Sequence, residues 1–319
     1  MSWRPTATLM ALTRRAAMLA AAREFFAKRG VLEVETPILS KAAVSDPQIE
    51  TLASQVAGIA ERVYLCTSPE YAMKRLLAAG SGDIYQICKV FRDAERGRWH
   101  HPEFTLIEWY RLGFDDASLM TEVAALVAYL LAPYRELEPA ERLSYSAALQ
   151  SHAGVDAYGA SDGELSESAR RHGIVCHAEL DRDAKLDLLM GLVVGPRLGF
   201  GRPCFICDYP VSQAALARLK PGPPPLAARF ELYLDGVELA NGFHELADEA
   251  EQRARFVQDQ ERRRARGQVE RPLDENLLEA LEAGLPDCAG VALGFDRLVA
   301  IALGAPQLAD AMAFTIDNA

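Results

Sequence analysis

Strand-forming segments in this chain come in pairs joined by polar connections, and helical segments lie between the pairs. The run IYQICKVFRDAERGRWHHPEFTLIEWYRLGF predicts two strands joined by a charged loop from Asp93 to Pro102. The run ARFELYLDGVELANGFHEL predicts a tighter hairpin, because Asp235-Gly236 is a dipeptide favoured in two-residue turns. Paired strands separated by helical insertions are typical of an α+β fold, with an antiparallel β-sheet flanked by helices.

Helical segments at the two ends complete this framework. The N-terminal run LTRRAAMLAAAREFFAKRG predicts an amphipathic helix that ends at Gly30. Its apolar face carries Leu12, Ala16, Leu19 and Phe26. Near the C-terminus, CAGVALGFDRLVAIALG predicts a strand that runs into a helix. Helical and turn-rich pieces alternate from 143 to 220, and we interpret this stretch as an insertion within one domain spanning residues 1–319.

Composition narrows the classes of function. The chain has 319 residues, half of them apolar, and a formal net charge of -11. Extended nucleic-acid binding is disfavoured, because a protein that holds a polyanion usually displays a basic face. No transmembrane run or secretory segment is evident, so we expect a cytoplasmic protein with reduced thiols. Cys204 and Cys207 form a CxxC pair in an apolar run that predicts a strand, and a zinc or redox role is the alternative.

The predicted hairpin brings two carboxylates together. A two-residue turn at Asp235-Gly236 places Tyr233 opposite Glu238, and Glu231 points to the same face as Tyr233. Neighbouring carboxylates repel unless a cation lies between them, and hard oxygen ligands suit Mg²⁺ carrying nucleotide phosphates. The alternative is a solvated outer face of the hairpin.

Two arginines lie in apolar surroundings, where an unpaired guanidinium is expensive to bury. Arg92 is in KVFRDAE and Arg297 is in LGFDRLV. Each needs an anionic partner, either a phosphate or an internal carboxylate such as Asp296 for Arg297. The sequence has neither a GxGxxG pattern nor a P-loop, so side chains and metal must hold any phosphates.

A dispersed acidic set could select an amino-group cation. It comprises Glu70, Glu108 and Glu245 together with Tyr110. The alternatives are that Glu70 only favours a helix dipole and that Tyr110 belongs to the core. His100 and His101 are predicted loop contacts, because no carboxylate or thiol stands at metal-ligand spacing. The arginine run 262–266 is interpreted as a solvated helix face, with docking as the alternative.

Five ordered segments resemble class II aminoacyl-tRNA synthetases of the lysyl type. GVLEVETPIL is similar to motif 1, which forms the dimer, FRDAERGRWHHPEFTLIEWY to motif 2, and GVALGFDRL to motif 3. TSPEYAMKRLL and VELANGFHEL are similar to lysine-subgroup segments between them. The resemblance spans the chain from its first helix to its C-terminus. It implies a class II catalytic core, a homodimer, ATP as a substrate, Mg²⁺ and a lysine-like amino acid.

The resemblance also implies roles for individual residues. Arg92 and Arg297 would be catalytic, Arg92 on the α-phosphate, while Phe104 and Arg297 would enclose the adenine. The other ATP-site residues would be Asp93, Ala94, His101, Glu238, Leu239 and Gly294. Glu231 and Glu238 would hold Mg²⁺. The amino-acid site would contain Ser68, Pro69, Glu70, Tyr110, Glu245 and Ala292, with Glu70 on the amino group near the carboxylate and Glu245 and Tyr110 on the distal ammonium.

Two features point to a subgroup of this family. Motif 1 begins near residue 30, which leaves no room for the anticodon-binding barrel of lysyl-tRNA synthetases. Ala292 stands where those enzymes have glycine, and the added methyl fits the paralogues that attach (R)-β-lysine to elongation factor P. The resemblance therefore implies a ligase with elongation factor P as its protein acceptor.

One departure from motif 2 is Ala94, which stands where a glutamate is usual, so a contact to the adenine edge is lost or passes to Glu95. Three alternatives remain at this point: a truncated lysyl-tRNA synthetase that charges tRNA, a non-catalytic binding paralogue, and an asparagine-synthetase-like ligase. The last would need a cationic pocket, and the acidic set here points the other way.

Overall fold

The computed structural model of the protein describes residues 3–177 and 180–319. The helices are α1 (Leu9–Ala27), α2 (Glu70–Ala78), α3 (Asp116–Leu131), α4 (Tyr145–Ala153), α5 (Asp162–Arg171), α6 (Arg182–Leu189), α7 (Glu249–Ala265), α8 (Glu275–Gly284) and α9 (Phe295–Leu303). The strands are β1 (Leu32–Glu33), β2 (Leu39–Ser40), β3 (Ala53–Ser54), β4 (Val63–Leu65), β5 (Ile84–Phe91), β6 (Glu103–Leu112), β7 (Glu141–Ser144), β8 (Cys204–Pro210), β9 (Leu219–Lys220), β10 (Leu226–Leu234), β11 (Val237–His244) and β12 (Cys288–Gly294).

One large sheet organises these elements. Its strand order is β1-β5-β6-β12-β11-β10-β8-β7, with β9 paired to β10 outside this path. The central pairs are antiparallel, whereas the β1–β5 and β7–β8 pairs near the edges are parallel. The α+β prediction is therefore confirmed, with a mixed sheet in place of a purely antiparallel one.

Both predicted hairpins form. Strands β5 and β6 are joined by the loop 92–102, and β10 and β11 by Asp235-Gly236. Asp235 has a φ of 52° and Gly236 a φ of 74°. Two successive residues with positive φ make the type of turn whose twist matches the flanking strands. The turn fixes the register, so Leu234 pairs with Val237 and Tyr233 with Glu238, as predicted.

The two faces of the sheet have different roles because side chains alternate along a strand. One face carries the main core, in which Ile107 and Trp109 of β6 pack with Val291 and Leu293 of β12. Helices α1, α3 and α9 cover this face. The opposite face presents the intervening residues of the same strands, and it is left open for a cavity between α2, α7 and the segment 141–220.

The buried face of helix α1 differs in one detail from the prediction. Helix α1 buries Ala11, Met18, Ala22, Phe25 and Phe26, so the prediction that Ala16 lies on its buried face is wrong. Helix α1 packs against α3 and α9 together, and the buried stripe is set by that tertiary arrangement, which the local periodicity does not encode.

The CxxC segment forms strand β8, as predicted. Because Cys204 and Cys207 are three residues apart on a strand, they point to opposite faces. Cys204 lies in the core beneath the segment 141–220, whereas Cys207 packs against the main core. All six cysteines are free thiols.

Among the described residues, no helix is both long and apolar enough to span a bilayer.

A buried ion pair connects the first and last helices to the sheet. Arg15 of α1 lies 2.5 Å from Asp296 of α9, whose other oxygen accepts a hydrogen bond of 2.7 Å from the backbone N–H of Thr105. Asp296 is only 2% exposed. Removing one member of such a pair leaves the other charge buried and uncompensated.

We expect Asp296→Ala to lower the free energy of unfolding by about 3 kcal/mol, because Arg15 and the Thr105 N–H both lose their acceptor. Urea denaturation followed by circular dichroism measures this change. The control is Glu167→Ala, which removes the exposed Glu167–Arg170 pair and should shift the free energy by less than about 0.5 kcal/mol. Equal effects of the two variants would contradict the assignment.

Candidate active site

A row of aligned residues forms the floor of the site on the open face of the sheet. Strand register places Glu231 beside Asn241, Asn241 beside Ala292, Ala292 beside Glu108, and Glu108 beside Gln86. These residues occupy corresponding positions on five neighbouring strands. A cavity of about 1470 Å³ lies over the middle of this row.

The predicted amino-acid residues come together in this cavity. Its lining includes Ser68, Pro69, Glu70, Tyr110, Glu245 and Ala292. Glu70 begins helix α2, and its N–H donates to the hydroxyl of Ser68 at 3.1 Å, which fixes the start of the helix. Glu245 directly follows the last residue of β11, and its side chain lines the same pocket as Glu70.

A lysine that the sequence reasoning missed lies between the two acidic side chains. The Nζ atom of Lys74 is 2.8 Å from Glu70 Oε1 and 2.6 Å from Glu245 Oε2. Burial raises the pKa of Glu245 to about 8, against the opposing effect of Lys74. Because residues four apart on a helix are neighbours, the spacing of Glu70 and Lys74 in the sequence already indicated that they could form an ion pair.

Glu108 and Tyr110 make a second polar pair at the pocket. The Tyr110 hydroxyl donates to Glu108 Oε1 at 2.9 Å, and both side chains are buried. Burial and the nearby Glu70 raise the pKa of Glu108 well above its usual range. Glu108 and Tyr110 therefore line the same pocket as Glu70 and Glu245.

Gly290 of β12 makes room for this group. A Cβ at this position would lie 2.2 and 2.4 Å from ring carbons of Tyr110 and 2.6 Å from Glu245 Oε1. Such distances are far below van der Waals contact, so any side chain here would displace both residues. A glycine inside a strand often marks a close approach of this kind.

Arg92 connects the cavity with the predicted nucleotide residues. It lines the cavity, and its guanidinium lies 5.1 Å from the ring centroid of Phe104. Glu95 and Glu238 are the carboxylates whose charges act on it most strongly, and Arg297 opposes them. Burial lowers the pKa of Arg92, and its Nε atom has no hydrogen-bond partner. Arg92 forms no ion pair within 4 Å in the described part of the chain.

Arg297 is held by backbone oxygens. Its Nε donates to the carbonyl of Trp99 at 3.1 Å and its Nη1 to the carbonyl of Glu238 at 2.9 Å. The alternative of an Arg297–Asp296 salt bridge is wrong, because Asp296 pairs with Arg15. A Cβ placed on Gly294 would lie 3.5 Å from Arg297 Cδ and 3.6 Å from the carbonyl oxygen of Leu239, so these three residues are neighbours.

The remaining predicted ATP-site residues lie outside the cavity lining. These are Asp93, Ala94, His101, Phe104, Glu238, Leu239, Gly294 and Arg297, together with the metal candidate Glu231. Asp93 accepts a hydrogen bond of 2.8 Å from the Ala94 N–H, and Ala94 has a φ of 61°. His101 accepts from the Ile316 N–H at 2.9 Å, so it fastens the C-terminal segment to the motif 2 loop.

The two hairpin carboxylates differ in their surroundings. Glu231 is paired with Arg229 at 2.6 Å and accepts a hydrogen bond of 2.7 Å from the Tyr233 hydroxyl. Among the residues that the structure describes, the Glu238 carboxylate has no such partner, and burial together with the charge of Glu231 raises its pKa to about 7. A carboxylate repelled by its neighbour and left unpaired fits a cation-binding position. No cluster of three or more His, Cys, Asp or Glu suited to a metal occurs in residues 3–177 and 180–319.

Unpaired buried polar atoms are concentrated around the cavity. Within the described part of the chain, Glu108 Oε2, Asn241 Oδ1 and both oxygens of Glu245 lack hydrogen-bond partners, as does Arg92 Nε. Native proteins pair nearly all buried polar groups, so such atoms call for a ligand. The unpaired oxygens can accept hydrogen bonds from a cationic group, and the Arg92 guanidinium can donate to an anionic group. The cavity therefore suits a ligand that carries both kinds of group.

The interpretation of the arginine run as a fully solvated face is wrong for Arg263. Its side chain is 0% exposed and pairs with Glu50 at 2.9 Å. Glu50 also pairs with Arg271 at 3.1 Å, and its backbone carbonyl accepts from the Asp93 N–H at 2.9 Å. Arg263 therefore connects helix α7 to the loop that contains Glu50, and Glu50 in turn contacts Asp93 of motif 2. The other members of the run stay partly exposed, and Arg262 lies 3.9 Å from Asp259.

Comparisons with known proteins agree with this geometry. The family model described as tRNA synthetases class II (D, K and N) matches residues 1–318. Elongation factor P--(R)-beta-lysine ligases from Salmonella dublin, Salmonella paratyphi B and Salmonella heidelberg are each 49% identical to the chain. Each alignment covers 100% of this chain and 98% of the relative.

We expect Gly290→Ala to weaken binding of a cationic amino acid by about 30-fold or more, because the added methyl displaces Tyr110 and Glu245. Binding of ATP should change by less than about 3-fold. Calorimetric titration with lysine, and separately with ATP, measures both values.

Gly191→Ala is the matched control, because nothing lies within 4 Å of a Cβ at that position. It should leave both affinities unchanged. Wild-type lysine affinity in the Gly290→Ala variant would show that the ligand does not contact this part of the cavity.

Proposed function

Because the chain belongs to the class II tRNA synthetase family, we propose that it is an ATP-dependent ligase that activates (R)-β-lysine as its adenylate. The activated acyl group then passes to the ε-amino group of a lysine on elongation factor P. The observation that carries this proposal is that Glu70, Glu245 and Arg92 line one cavity. The 49% identity over full length to ligases of that name supports it.

In the first step, a carboxylate oxygen of the amino acid attacks the α-phosphorus of ATP. The bond from that phosphorus to the bridging oxygen of pyrophosphate breaks, and pyrophosphate leaves with the bonding electrons. Arg92 would stabilise the charge on the α-phosphate, which is supported by its place in the cavity lining beside Phe104. Arg297 would help to hold the nucleotide from the other side.

In the second step, the uncharged ε-amine of the acceptor lysine attacks the acyl carbon. The bond between that carbon and the phosphate oxygen breaks, AMP leaves, and the amine loses a proton to solvent. Holding the reacting groups next to each other supplies much of the rate.

The amino-acid end of the cavity suits a substrate with two ammonium groups. Glu70 would accept the ammonium near the carboxylate, and Glu245 with Tyr110 would accept the distal one. An acidic pocket of this kind opposes aspartate, which removes the asparagine-synthetase-like alternative.

Ala292 would help to choose between isomers of lysine. It lies on the cavity floor between Glu108 and Asn241, so its methyl group occupies space that a glycine would leave open. A methyl of this kind contributes about 1–3 kcal/mol of discrimination.

Mg²⁺ would be bound together with the triphosphate. Glu238 would hold the ion through its unpaired carboxylate, and Glu231 would add negative charge while staying bound to Arg229 and Tyr233. When bound, Mg²⁺ supplies charge neutralisation on the phosphates.

We also propose a homodimer in the cytoplasm, where ATP and translation factors are found. Exposed apolar side chains are concentrated near the N-terminus, with Leu9 81%, Leu32 56% and Leu39 47% exposed. Leu32 lies on the edge strand β1, and an edge with unpaired backbone groups favours pairing with a second chain.

The test is the intact mass of elongation factor P after incubation with the enzyme, ATP and either (R)-β-lysine or α-lysine. We expect a gain of one lysyl residue that depends on ATP and is faster with (R)-β-lysine. Arg92→Ala should lower this rate by about 100-fold or more, because one donor to the developing phosphate charge is lost.

A parallel reaction contains tRNA and radiolabelled lysine. Charging of tRNA without any mass gain on elongation factor P would contradict the proposal in favour of a truncated lysyl-tRNA synthetase. Absence of pyrophosphate exchange would favour a non-catalytic binding paralogue.

We expect the wild-type protein to sediment at twice the chain mass of 34.9 kDa. The double variant Leu32→Glu with Leu39→Glu should shift the equilibrium towards the monomer, because each change buries a charge in the apolar contact. Val175→Glu, at a position 75% exposed and remote in sequence, is the control that should remain dimeric. Sedimentation velocity distinguishes these outcomes, and a wild-type monomer at micromolar concentration would refute the dimer.

A further inference from the structure

Lys74 is a buried cation whose partners are the two acidic residues at the amino-acid end of the cavity. Its side chain is 1% exposed and forms ion pairs of 2.8 Å with Glu70 and 2.6 Å with Glu245. Its neighbours on α2, Met73 and Leu77, belong to an apolar cluster. Burial alone would lower the pKa of Lys74, but Glu245 and Glu70 raise it overall, so the side chain is an ammonium ion.

Lys74 stands behind the carboxylates and outside the cavity. Glu70 and Glu245 are in the cavity lining, whereas Lys74 is not. Among the described residues, neither oxygen of Glu245 has a hydrogen-bond partner, and only Oε2 lies within ion-pair distance of Lys74, at 2.6 Å. Lys74 therefore leaves acceptor capacity on its partners, and it reaches a ligand only through them.

The charges balance when a ligand with two ammonium groups is bound. Burial raises the pKa of Glu108 and Glu245, so these two carboxyl groups ionise fully only when cations lie beside them. Glu70, Glu108 and Glu245 would then carry three negative charges, of which Lys74 offsets one. The remaining two match two ammonium groups. Without Lys74, like charges would crowd a buried space, and the carboxylates would turn apart or take up a proton.

Stability alone gives no reason for a buried group of charges here, since Lys74, Glu70 and Glu245 could all be replaced together by apolar residues. A buried ion pair can be replaced by apolar residues of similar size at little or no cost, because desolvation offsets the attraction. Position 74 is next to an apolar cluster into which methionine would fit.

We propose that Lys74 is a positioning residue that fixes the separation and charge of Glu70 and Glu245, so that the two carboxylates bind the two ammonium groups of a diamino acid. This inference rests on the proposed function and adds a specificity-determining residue to it. Lys74 acts through its two partners and does not contact the substrate.

The first test compares Lys74→Met with wild type by pyrophosphate exchange. We expect the KM for (R)-β-lysine to rise about 30-fold or more, because the two carboxylates lose their shared partner. The KM for ATP should change less than about 3-fold. A lysine with a purely structural role would leave both constants unchanged or raise them together, and either result would overturn the inference.

Lys185→Met is the matched control. Lys185 is 5% exposed, lies on helix α6 and pairs with Asp162 at 3.0 Å, but it does not line the cavity. This variant should leave the ratio of the two KM values unchanged. A change equal to that of Lys74→Met would overturn the inference.

The second test is chemical rescue of Lys74→Ala. Propylammonium has the shape and charge of the missing part of the side chain, so it should lower the KM for (R)-β-lysine in a concentration-dependent way. Propanol has a similar shape without the charge and should have no effect. Equal rescue by both compounds, or by neither, would overturn the inference. If the methionine variant does not fold, the alanine variant is purified and assayed in propylammonium.

Wild-type pyrophosphate exchange separates the two proposals. No exchange with any lysine isomer would refute the proposed function itself. Normal wild-type exchange with an unchanged KM in the Lys74 variants would refute only the role of Lys74.

Discussion

Everything at the site depends on the pairing register of the central strands. Alternation along each strand sends Ile107 and Trp109 into the main core, so Glu108 and Tyr110 must face the cavity. A slip of one residue would exchange the two sets, burying carboxylates under the helices and exposing the core. The close fit of Gly290 against Tyr110 favours that register between β12 and β6. The positive-φ turn at 235–236 sets the first pairs of β10 and β11, and the register of these two strands shifts between Leu232 and Tyr233. The same strand register therefore determines which residues form the core and which residues line the site.

The electrostatics of the site follow from how few of its charges are fully paired within the chain. Arg229 neutralises Glu231 at 2.6 Å, and Lys74 is shared between Glu70 and Glu245. Arg92 and Glu238 lack such partners, and burial shifts the pKa of both towards the uncharged form. A substrate with phosphates and a bound cation would supply the partners that Arg92 and Glu238 lack, and so favour their charged forms over the neutral ones. Leaving these buried groups unpaired lowers the stability of the free protein, and the bound substrate would remove this loss by pairing with them.

Local rules were enough for part of this structure and not for the rest. The Tyr233–Glu238 pairing was predictable because a two-residue turn determines register from the sequence alone. Three other features could not be predicted from local sequence, because each depends on an element far away in the chain. They are the buried face of α1, the burial of Arg263 and the pairing of Asp296 with Arg15. Family resemblance supplied site residues on strands β6, β10, β11 and β12 and on helices α2 and α9, which local periodicity could not assemble. It did not identify Lys74, whose role depends on both ends of the pocket.

Ala292 shows how such a site can change its substrate without changing its fold. Its backbone belongs to the register that links β6, β12 and β11, but its methyl group faces the cavity and is not part of any buried apolar cluster. Exchanging alanine for glycine there removes little buried apolar area, so the cost in stability is small. The same exchange alters the space available beside Glu108 and Asn241, where the substrate would lie. Gly290, two residues away, cannot be replaced in the same way, because a Cβ at that position would overlap Tyr110 and Glu245. Specificity can therefore be adjusted at one position of this strand while the neighbouring position keeps the acidic pocket intact.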